Sequence, residues 1–419
     1  MPEIGLREAA SNALVLKYQR LLDEQLACDF NPPAQLSGRG IVLCAGGPRY
    51  FTCAWVLIHQ LRETLRCDLP IQVWYAGPEE MDEPMLALLR ALPRVELVDA
   101  TQVAGYERIR SLGGWPLKPF AIVHSRYREV LLLDADNLPI VNPQFLFDHP
   151  RYIETGAIFW PDLFPLTESS PIWEVTRVPY RLEPSFESGQ ILVDKSRCWK
   201  PLMLTMHLNE NAKFYYRLIH GDKDTFHFAW HLAGQEYSMP AGGLACLSPA
   251  PHPSQKESFP VLLQREFDGT VIFQHRNAPK WTAFGVNAEF PGFCYEKECL
   301  VFLDRLAGVW DGRIRRSNSP PAQYWHSPVG TRWFRYILIG AENRPMEFLP
   351  DGRIGCGAHR SEQRWAIVQE QGEPVLLIIG DYGVTCRLTR KDDHVWRGSW
   401  VFNELHSVEL IPFPQRPED

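Results

Sequence analysis

The sequence lacks the features that mark several large classes of protein. None of its 10 cysteines forms a C-x-x-C pair, and scattered cysteines of this kind are typical of reduced thiols rather than of a disulfide framework. Lysine and arginine number 43 against 50 aspartates and glutamates, for a net charge of −7. Nucleic-acid binding usually requires a concentrated basic surface, so we expect no nucleic-acid partner.

Long apolar runs are also missing. No run approaches the roughly 18 apolar residues that a membrane-spanning helix needs, and residues 1–40 lack the pattern of a signal peptide. The motifs G-x-S-x-G and G-x-G-x-x-G and the Walker lysine loop do not occur. We therefore expect a cytoplasmic protein without a transmembrane segment.

The chain divides into three parts by its hydrophobic pattern. Residues 1–38 carry the pattern of an amphipathic helix that ends in a proline break. Residues 39–315 begin with short apolar strands that alternate with helices, which predicts an α/β domain with a parallel sheet covered on both faces. Residues 324–415 show only a β rhythm and predict a small antiparallel barrel or sandwich, joined through a linker at 315–321.

The strongest candidate for chemistry is a pair of aspartates, Asp134 and Asp136, that directly follows a buried apolar strand. Ligands of parallel α/β sheets bind beyond the carboxyl ends of the strands. Carboxylate oxygens there can hold Mn²⁺ or Mg²⁺, which neutralises a diphosphate leaving group. The alternative is an ordinary strand-end turn, where aspartate is common.

A second candidate is the segment 274–281, which contains His275 and Lys280. A neutral imidazole can supply a third metal ligand from a distant part of the chain, and the ammonium can lie against a diphosphate. A loop histidine with no ligand is the alternative interpretation.

Further candidates lie in three short polar stretches. Glu187 to Gln190 reads as a turn that feeds an apolar strand and places Gln190 at the base of a pocket, or as a plain junction. Asp222 and Asp224 open a helix, where they can cap it, hold a sugar hydroxyl, or do both. Lys118 begins a helix shortly before the aspartate pair and can contact phosphate, unless it is a surface lysine.

One histidine pair is interpreted as packing. His227 and His231 lie four residues apart on a predicted helix, but the glutamate of an H-E-x-x-H motif is missing between them.

Seven segments support a resemblance to a known family. They are CAGG at 44–47, LPIQVW at 69–74, GWPLKPFA at 114–121, EVLLLDADN at 129–137, TGAIFWPD at 155–162, ESGQ at 187–190 and GDKDTF at 221–226. In this order they resemble the fungal α-mannosyltransferase family of the Mnn1/Mnn2 type, which has the GT-A fold. Residues 275–281 also resemble the His/Lys signature of glycogenin-like retaining glycosyltransferases.

The resemblance implies a GT-A domain that transfers a hexose from a nucleotide-diphosphate sugar with retention, forming an α-linkage. It favours GDP-mannose as the donor, with a UDP-sugar as the alternative, and a glycan, lipid-linked or protein acceptor. The predicted metal ligands are Asp134, Asp136 and His275. The predicted donor-binding residues are Ala45, Gly46, Gly47, Lys118, Asp134 and Lys280, and the predicted catalytic residues are Gln190, Asp222, Asp224 and Glu187.

Two other functions remain open from the sequence. A sugar nucleotidyltransferase also places carboxylates at strand ends, and it would release pyrophosphate rather than a nucleoside diphosphate. A carbohydrate-binding protein would use the β domain and leave the α/β part without catalytic function.

Overall fold

The computed structural model describes most of the chain. The described residues are 12–78, 80–110, 114–250, 260–284, 287–312, 314 and 333–413, the last range without 339–341, 360–361, 371–372, 381–382, 391–394 and 401–406. The predicted linker at 315–321 and the predicted domain boundary at 324 therefore lie outside the described residues.

Helices and strands alternate through the first domain. The helices are α1 (Asn12–Leu26), α2 (Gly47–His59), α3 (Glu83–Arg90), α4 (Leu117–His124), α5 (Pro150–Thr155), α6 (Ile172–Thr176), α7 (Trp199–Glu210), α8 (Ala212–Tyr215), α9 (Asp222–Ala233) and α10 (Glu296–Val309). The strands are β1 (Arg39–Cys44), β2 (Ile71–Tyr75), β3 (Val95–Asp99), β4 (Glu129–Asp134), β5 (Asn137–Pro139), β6 (Ala157–Pro161), β7 (Phe186–Asp194), β8 (Ala245–Leu247), β9 (Val261–Arg265) and β10 (Val271–His275). Among the described residues, no helix is both long and apolar enough to cross a membrane.

The central sheet has the strand order β3-β2-β1-β4-β7-β6. Strands β1 to β4 run parallel, as predicted, whereas β7 is antiparallel to both β4 and β6. The parallel arrangement predicted from the first four strands is therefore confirmed for them, and the sheet continues with an antiparallel β7–β6 end. The stretch from Glu187 to Gln190 is not a turn before a strand, because it lies inside β7, where Leu133 of β4 pairs with Gln190.

Burial on both faces explains the apolar runs of the parallel strands. Ile41 and Leu43 of β1 point into one hydrophobic core, and Val42 between them points into the other. All three side chains are inaccessible to solvent. Successive side chains of a strand point to opposite faces, so only an uninterrupted apolar run can bury both.

Helix α2 starts earlier than its sequence pattern indicates. The apolar periodicity predicts a helix from about residue 54, but α2 begins at Gly47. Gly46 before it has an extended backbone, and Pro48 lies in the first turn. Proline is favourable there because its fixed φ suits the helix and the first N–H groups have no helical partner.

A second, smaller sheet crosses the carboxyl end of β4. Its order is β5-β10-β9-β8, and its paired strands are antiparallel. Strand β5 starts three residues after Asp134, and His275 of β10 pairs with Asn137 of β5. This pairing brings the 275–280 region to the end of the central sheet.

The C-terminal part is all β, as predicted. Its strands are β11 (Trp333–Leu338), β12 (Glu342–Glu347), β13 (Arg364–Glu370), β14 (Glu373–Gly380), β15 (Gly383–Arg390), β16 (Trp396–Trp400) and β17 (Ser407–Phe413). They form a single antiparallel sheet in the order β12-β11-β17-β16-β15-β14-β13. Phe348 after β12, Trp365 of β13 and Leu410 of β17 share one hydrophobic core. A smaller cluster, formed by Ala366 of β13 with Val375, Leu377 and Ile379 of β14, packs separately from this core.

Candidate active site

A cleft of about 710 Å³ lies beyond the carboxyl ends of β1 and β4. Parallel α/β sheets bind their ligands at this edge. The cleft is lined by nine of the residues predicted from the sequence: Ala45, Gly46, Lys118, Asp134, Glu187, Asp222, Asp224, His275 and Lys280. The fold thus brings into one site residues that are dispersed over more than 200 positions of the chain.

Two aspartates and a histidine form what we call the Asp–Asp–His cluster. The Nε2 atom of His275 lies 3.2 Å from Oδ1 of Asp136 and 3.9 Å from Oδ2 of Asp134. The three potential ligand atoms lie within 4.8 Å of one another. Two carboxylates and an imidazole form a donor set that suits Mn²⁺ and related divalent cations. The residues present therefore fit the metal that the sequence predicts.

A lysine pairs with each aspartate of this cluster. Lys118 Nζ lies 2.8 Å from Oδ2 of Asp134, and Lys280 Nζ contacts the carboxylate of Asp136. Burial by itself raises the pKa of Asp136, but Lys280 and His275 outweigh it and hold that pKa well below its usual range. The carboxylate is therefore ionised, as a metal ligand must be.

Strand β7 supports the histidine from its other side. Nδ1 of His275 lies 3.7 Å from Oε1 of Glu187, which accepts a hydrogen bond from the N–H of Gly189 at 2.8 Å. A Cβ atom on Gly189 would lie 2.6 Å from Nδ1 of His275, so only glycine fits at this position. Burial raises the pKa of Glu187 to about 6, although His275 opposes the shift.

The start of α9 adds a second group of charges. Lys223 Nζ lies 3.0 Å from Oδ2 of Asp162 and 2.8 Å from Oδ1 of Asp224. Asp224 also accepts a hydrogen bond from the N–H of His220 at 2.9 Å. Asp222 lies 3.7 Å from Lys118 Nζ, so Lys118 stands between two carboxylates. Burial raises the pKa of Asp222, although Lys118 opposes the shift.

Three predicted site residues do not line the cleft. Asp136 is 1% exposed and reaches the site through its contacts with His275 and Lys280. Gln190 is fully buried behind the site, where its Oε1 accepts a hydrogen bond from Nδ2 of Asn137 at 2.5 Å. Gly47 begins α2, and its N–H donates to the carbonyl of Glu80 at 2.7 Å. Gln190 therefore does not form the base of the cleft in this structure.

Other cleft residues had no clear signal in the sequence. Tyr50 and Glu80 line the cleft near the end of β1, and Phe164 lines it while remaining 75% exposed. Burial raises the pKa of Glu80 to about 7. Neither Tyr50 nor Glu80 belongs to a recognisable motif, because their positions depend on how α2 and the loop after β2 pack.

Comparison with known proteins agrees with this geometry. A family model described as "Mannosyltransferase putative" matches residues 38–180 and 177–275, more than half of the chain. The chain belongs to this family. The matched region contains the central sheet, Asp134, Asp136 and His275, and the GT-A fold class follows from this membership and the observed sheets.

Individual relatives are more distant. An α-1,2-mannosyltransferase of Candida albicans, MNN2, is 22% identical over 322 residues, covering 62% of this chain and 52% of the relative. The MNN2 protein of Saccharomyces cerevisiae is 23% identical over 260 residues, covering 51% of this chain and 43% of the relative. The chain thus spans about half the length of the curated relatives that it matches.

Solved structures show weaker likeness. The mannosyltransferase Ktr4p of S. cerevisiae aligns with a TM-score of 0.34 and 15% identity, over 56% of this chain and 79% of that one. The galactosyltransferase LgtC aligns with a TM-score of 0.33 and 16% identity, over 45% of this chain and 69% of that one.

Proposed function

We propose that this protein is a metal-dependent, retaining mannosyltransferase that uses a nucleotide-diphosphate sugar. The observation that carries the proposal is the Asp–Asp–His cluster, flanked by Lys118 and Lys280, at the carboxyl end of the central sheet. Membership of the mannosyltransferase family supports mannose as the sugar and GDP-mannose as the donor. The names of the fungal relatives, α-1,2-mannosyltransferases, support an α-linked product.

The charges of the site suit a diphosphate. Asp134, Asp136 and His275 would hold Mn²⁺ or Mg²⁺, and such a cation supplies positive charge to the phosphate oxygens of a bound donor. Lys280 and Lys118 pair with the aspartates in this structure, so both ammonium groups lie beside the site proposed for the metal, where they would add positive charge for a diphosphate. A fixed array of positive charge stabilises a leaving diphosphate in the transition state without having to reorganise.

The transfer itself exchanges one C–O bond for another. The bond between the anomeric carbon and the β-phosphate oxygen breaks with its electron pair on the oxygen, and an acceptor hydroxyl forms the new bond. The proton of that hydroxyl passes to the departing phosphate oxygen, which lies on the same face of the sugar. The configuration is thereby retained without a covalent enzyme intermediate.

Three of the cleft carboxylates are engaged by lysines, which supports same-face transfer over opposite-face attack as far as these three are concerned. Asp134 pairs with Lys118, and both Asp162 and Asp224 pair with Lys223. A lysine already contacts each of these three carboxylates, so none of them is free to take the proton of an acceptor hydroxyl, and Glu187 and Asp222 remain as the candidates for a base if the reaction inverts. Asp222 and Asp224 are better suited to accept hydrogen bonds from donor sugar hydroxyls.

The acceptor is a hydroxyl of a glycan, a lipid-linked sugar or a protein. The cleft wall formed by residues 163–166 is apolar, and Phe164 on it is 75% exposed. An exposed aromatic ring offers the flat apolar surface on which the C–H face of a sugar packs.

Nucleotide binding and product analysis test the function. We expect GDP to raise the melting temperature in the presence of Mn²⁺ and to have little effect in EDTA, with UDP weaker than GDP. We also expect GDP-mannose to yield free GDP and an α-mannoside, identified from the coupling of its anomeric carbon and proton by NMR. Release of pyrophosphate would indicate a nucleotidyltransferase, and a β-mannoside would indicate inversion.

A further inference from the structure

A second group of metal-ligand side chains lies outside the cleft. His227 and His231 lie on one face of α9, and Glu183 comes from residues 162–185, the segment that joins β6 to β7. The Nε2 atoms of His227 and His231 lie 2.8 Å and 2.5 Å from the same oxygen, Oε1 of Glu183. We call these three residues the Glu183 cluster.

Packing holds the two imidazoles in place. The ring of His227 stacks on Phe186 with a centroid distance of 4.6 Å, and the ring of His231 lies 4.8 Å from that of His227. The side chain of His227 is 1% exposed, whereas Glu183 is 23% exposed. The sequence-based interpretation of packing therefore describes the ring of His227, but it does not account for the convergence of both Nε2 atoms on a carboxylate.

A glutamate and two histidines form a donor set that suits a transition metal. Neutral imidazole and carboxylate are the forms that coordinate transition metals.

We propose that the Glu183 cluster is a metal site for Zn²⁺ or a similar transition metal, separate from the Asp–Asp–His cluster. The potential ligand atoms lie within 4.8 Å of one another. Zn²⁺ binds nitrogen and oxygen at about 2.0–2.2 Å. The two Nε2 atoms and Oε1 of Glu183, which are now in hydrogen-bond contact, would therefore need to move apart only slightly for the ion to bind between them. Glu183 is exposed enough for water to complete a tetrahedral site.

The position of the site gives it a role in shaping the cleft. The 162–185 segment carries the apolar cleft wall at 163–166, and the first turn of α9 carries Asp222 and Asp224. A metal bridging Glu183 to α9 would tie these two walls together. This role does not depend on the identity of the donor or on the proposed transferase activity.

The environment of His227 limits the affinity that we expect the Glu183 cluster to have for a metal ion. Nδ1 of His227 is buried without a hydrogen-bond partner among the described residues. Tight metal sites usually orient each histidine through a hydrogen bond from its second nitrogen. We therefore expect micromolar rather than nanomolar binding.

Cobalt titration tests the proposal directly. The full-length Asp134→Asn variant, which lacks a ligand of the cleft cluster, is freed of metal with chelator and titrated with Co²⁺. We expect visible absorption bands of tetrahedral Co²⁺ that saturate at one equivalent and disappear when Zn²⁺ is added. Adding His231→Ala or Glu183→Gln to this background should weaken binding at least about tenfold. Adding His359→Ala, at a histidine that is 68% exposed and distant in sequence, should leave binding unchanged.

Circular dichroism of each metal-free variant separates loss of a ligand from loss of fold. Glu183→Gln preserves the shape of the side chain, so it decides the question if His231→Ala fails to fold. Absence of tetrahedral bands in the Asp134→Asn background would overturn the proposal, as would an unchanged titration in Glu183→Gln. Zn²⁺ should also raise the melting temperature of the background protein and have no such effect on the Glu183→Gln form.

Discussion

The Nε2 atom of His275 lies 3.2 Å from Oδ1 of Asp136, although 139 residues separate the two in sequence. Their proximity has a simple origin in strand pairing. His275 is the last residue of β10 and pairs with Asn137, the residue that directly follows Asp136. The Asp–Asp–His cluster is therefore built by the antiparallel pair β5–β10 across the end of β4, and any shift of that register would separate its members.

Substitution of Asp136 separates its electrostatic role from its role in activity. Asp136→Asn removes the negative charge beside Lys280, whose side chain is only 6% exposed. A buried cation left without its partner destabilises a protein by about 3 kcal/mol. We expect a loss of that order in chemical denaturation, together with a fall in transfer rate of at least about 100-fold, because a metal ligand is lost.

The double variant Asp136→Asn/Lys280→Met gives the matched control. It removes both charges, so most of the lost stability should return, while activity should stay at the level of the single variant. Recovery of activity along with stability would show that Asp136 acts only by balancing Lys280.

Gly189→Ala tests whether close packing of β7 positions His275. The added Cβ would lie 2.6 Å from Nδ1 of His275, so the imidazole must move. A displacement of about 1 Å at a reacting centre can lower the rate about 100-fold. We expect a loss of that size in turnover and weaker Mn²⁺ activation, with the far-UV circular dichroism unchanged.

Gly243→Ala is the control for this variant, because a Cβ there meets no atom within 4 Å. It should retain wild-type turnover. Equal turnover in the two variants would mean that the position of His275 is not critical.

The chemistry of the site could be predicted more readily than its geometry. Asp134 and Asp136 follow a strand whose apolar run marks it as buried, so their placement at a strand end followed from local pattern. The pairing of His275 with Asn137 depends on long-range β-sheet contacts that no local pattern specifies. Glu183 illustrates the same limit, because its contact with His227 and His231 spans more than 40 residues.

The hydrophobic pattern of the sequence predicts some strands of the fold and not others. Strands β1 to β4 were recognisable because burial on both faces demands continuous apolar runs. The direction of β7 could not be predicted from the sequence, because an apolar run is compatible with both parallel and antiparallel pairing. Strand β12, with the sequence ENRPME, was not predicted because it contains no apolar alternation and includes Pro345. Its pairing with β11 overrides that weak local preference.

Phe164→Ala tests the apolar wall of the cleft as the acceptor surface. The ring is 75% exposed, so its removal should leave stability unchanged. Covering such a ring with a sugar contributes about 1 kcal/mol, which corresponds to roughly a fivefold change in binding. We expect the KM for the acceptor to rise by about that factor while the Kd for GDP stays constant.

Phe145→Ala is the control, because this ring is 39% exposed and does not line the cleft, and it should change neither the KM for the acceptor nor the Kd for GDP. A change in GDP affinity alone would place Phe164 in the donor site instead.

The buried Lys195 makes stability depend on alkaline pH. Its side chain is inaccessible to solvent and donates to the carbonyl of Ser125 at 2.6 Å. Burial lowers the pKa of Lys195 to about 7, whereas an unfolded lysine titrates near about 10.4. Between these values the unfolded chain binds the proton more strongly, so the free energy of unfolding contributed by Lys195 rises with pH. The destabilisation caused by burying Lys195 is therefore greatest below pH 7 and is absent above about pH 10.4.

Lys195→Met removes the titrating group, so comparison with wild type measures the pH-dependent contribution of Lys195 to stability. The stability of wild type relative to Lys195→Met should increase by roughly 3 kcal/mol between pH 7 and about pH 10, as measured by urea denaturation. Lys200→Met removes an exposed lysine from the same region and should show no pH-dependent difference. If the difference in unfolding free energy between wild type and Lys195→Met stays constant across this range, Lys195 remains charged in the folded protein. Its ammonium would then be stabilised by the carbonyl of Ser125 and by the ring of Trp199, whose centroid lies 5.9 Å away.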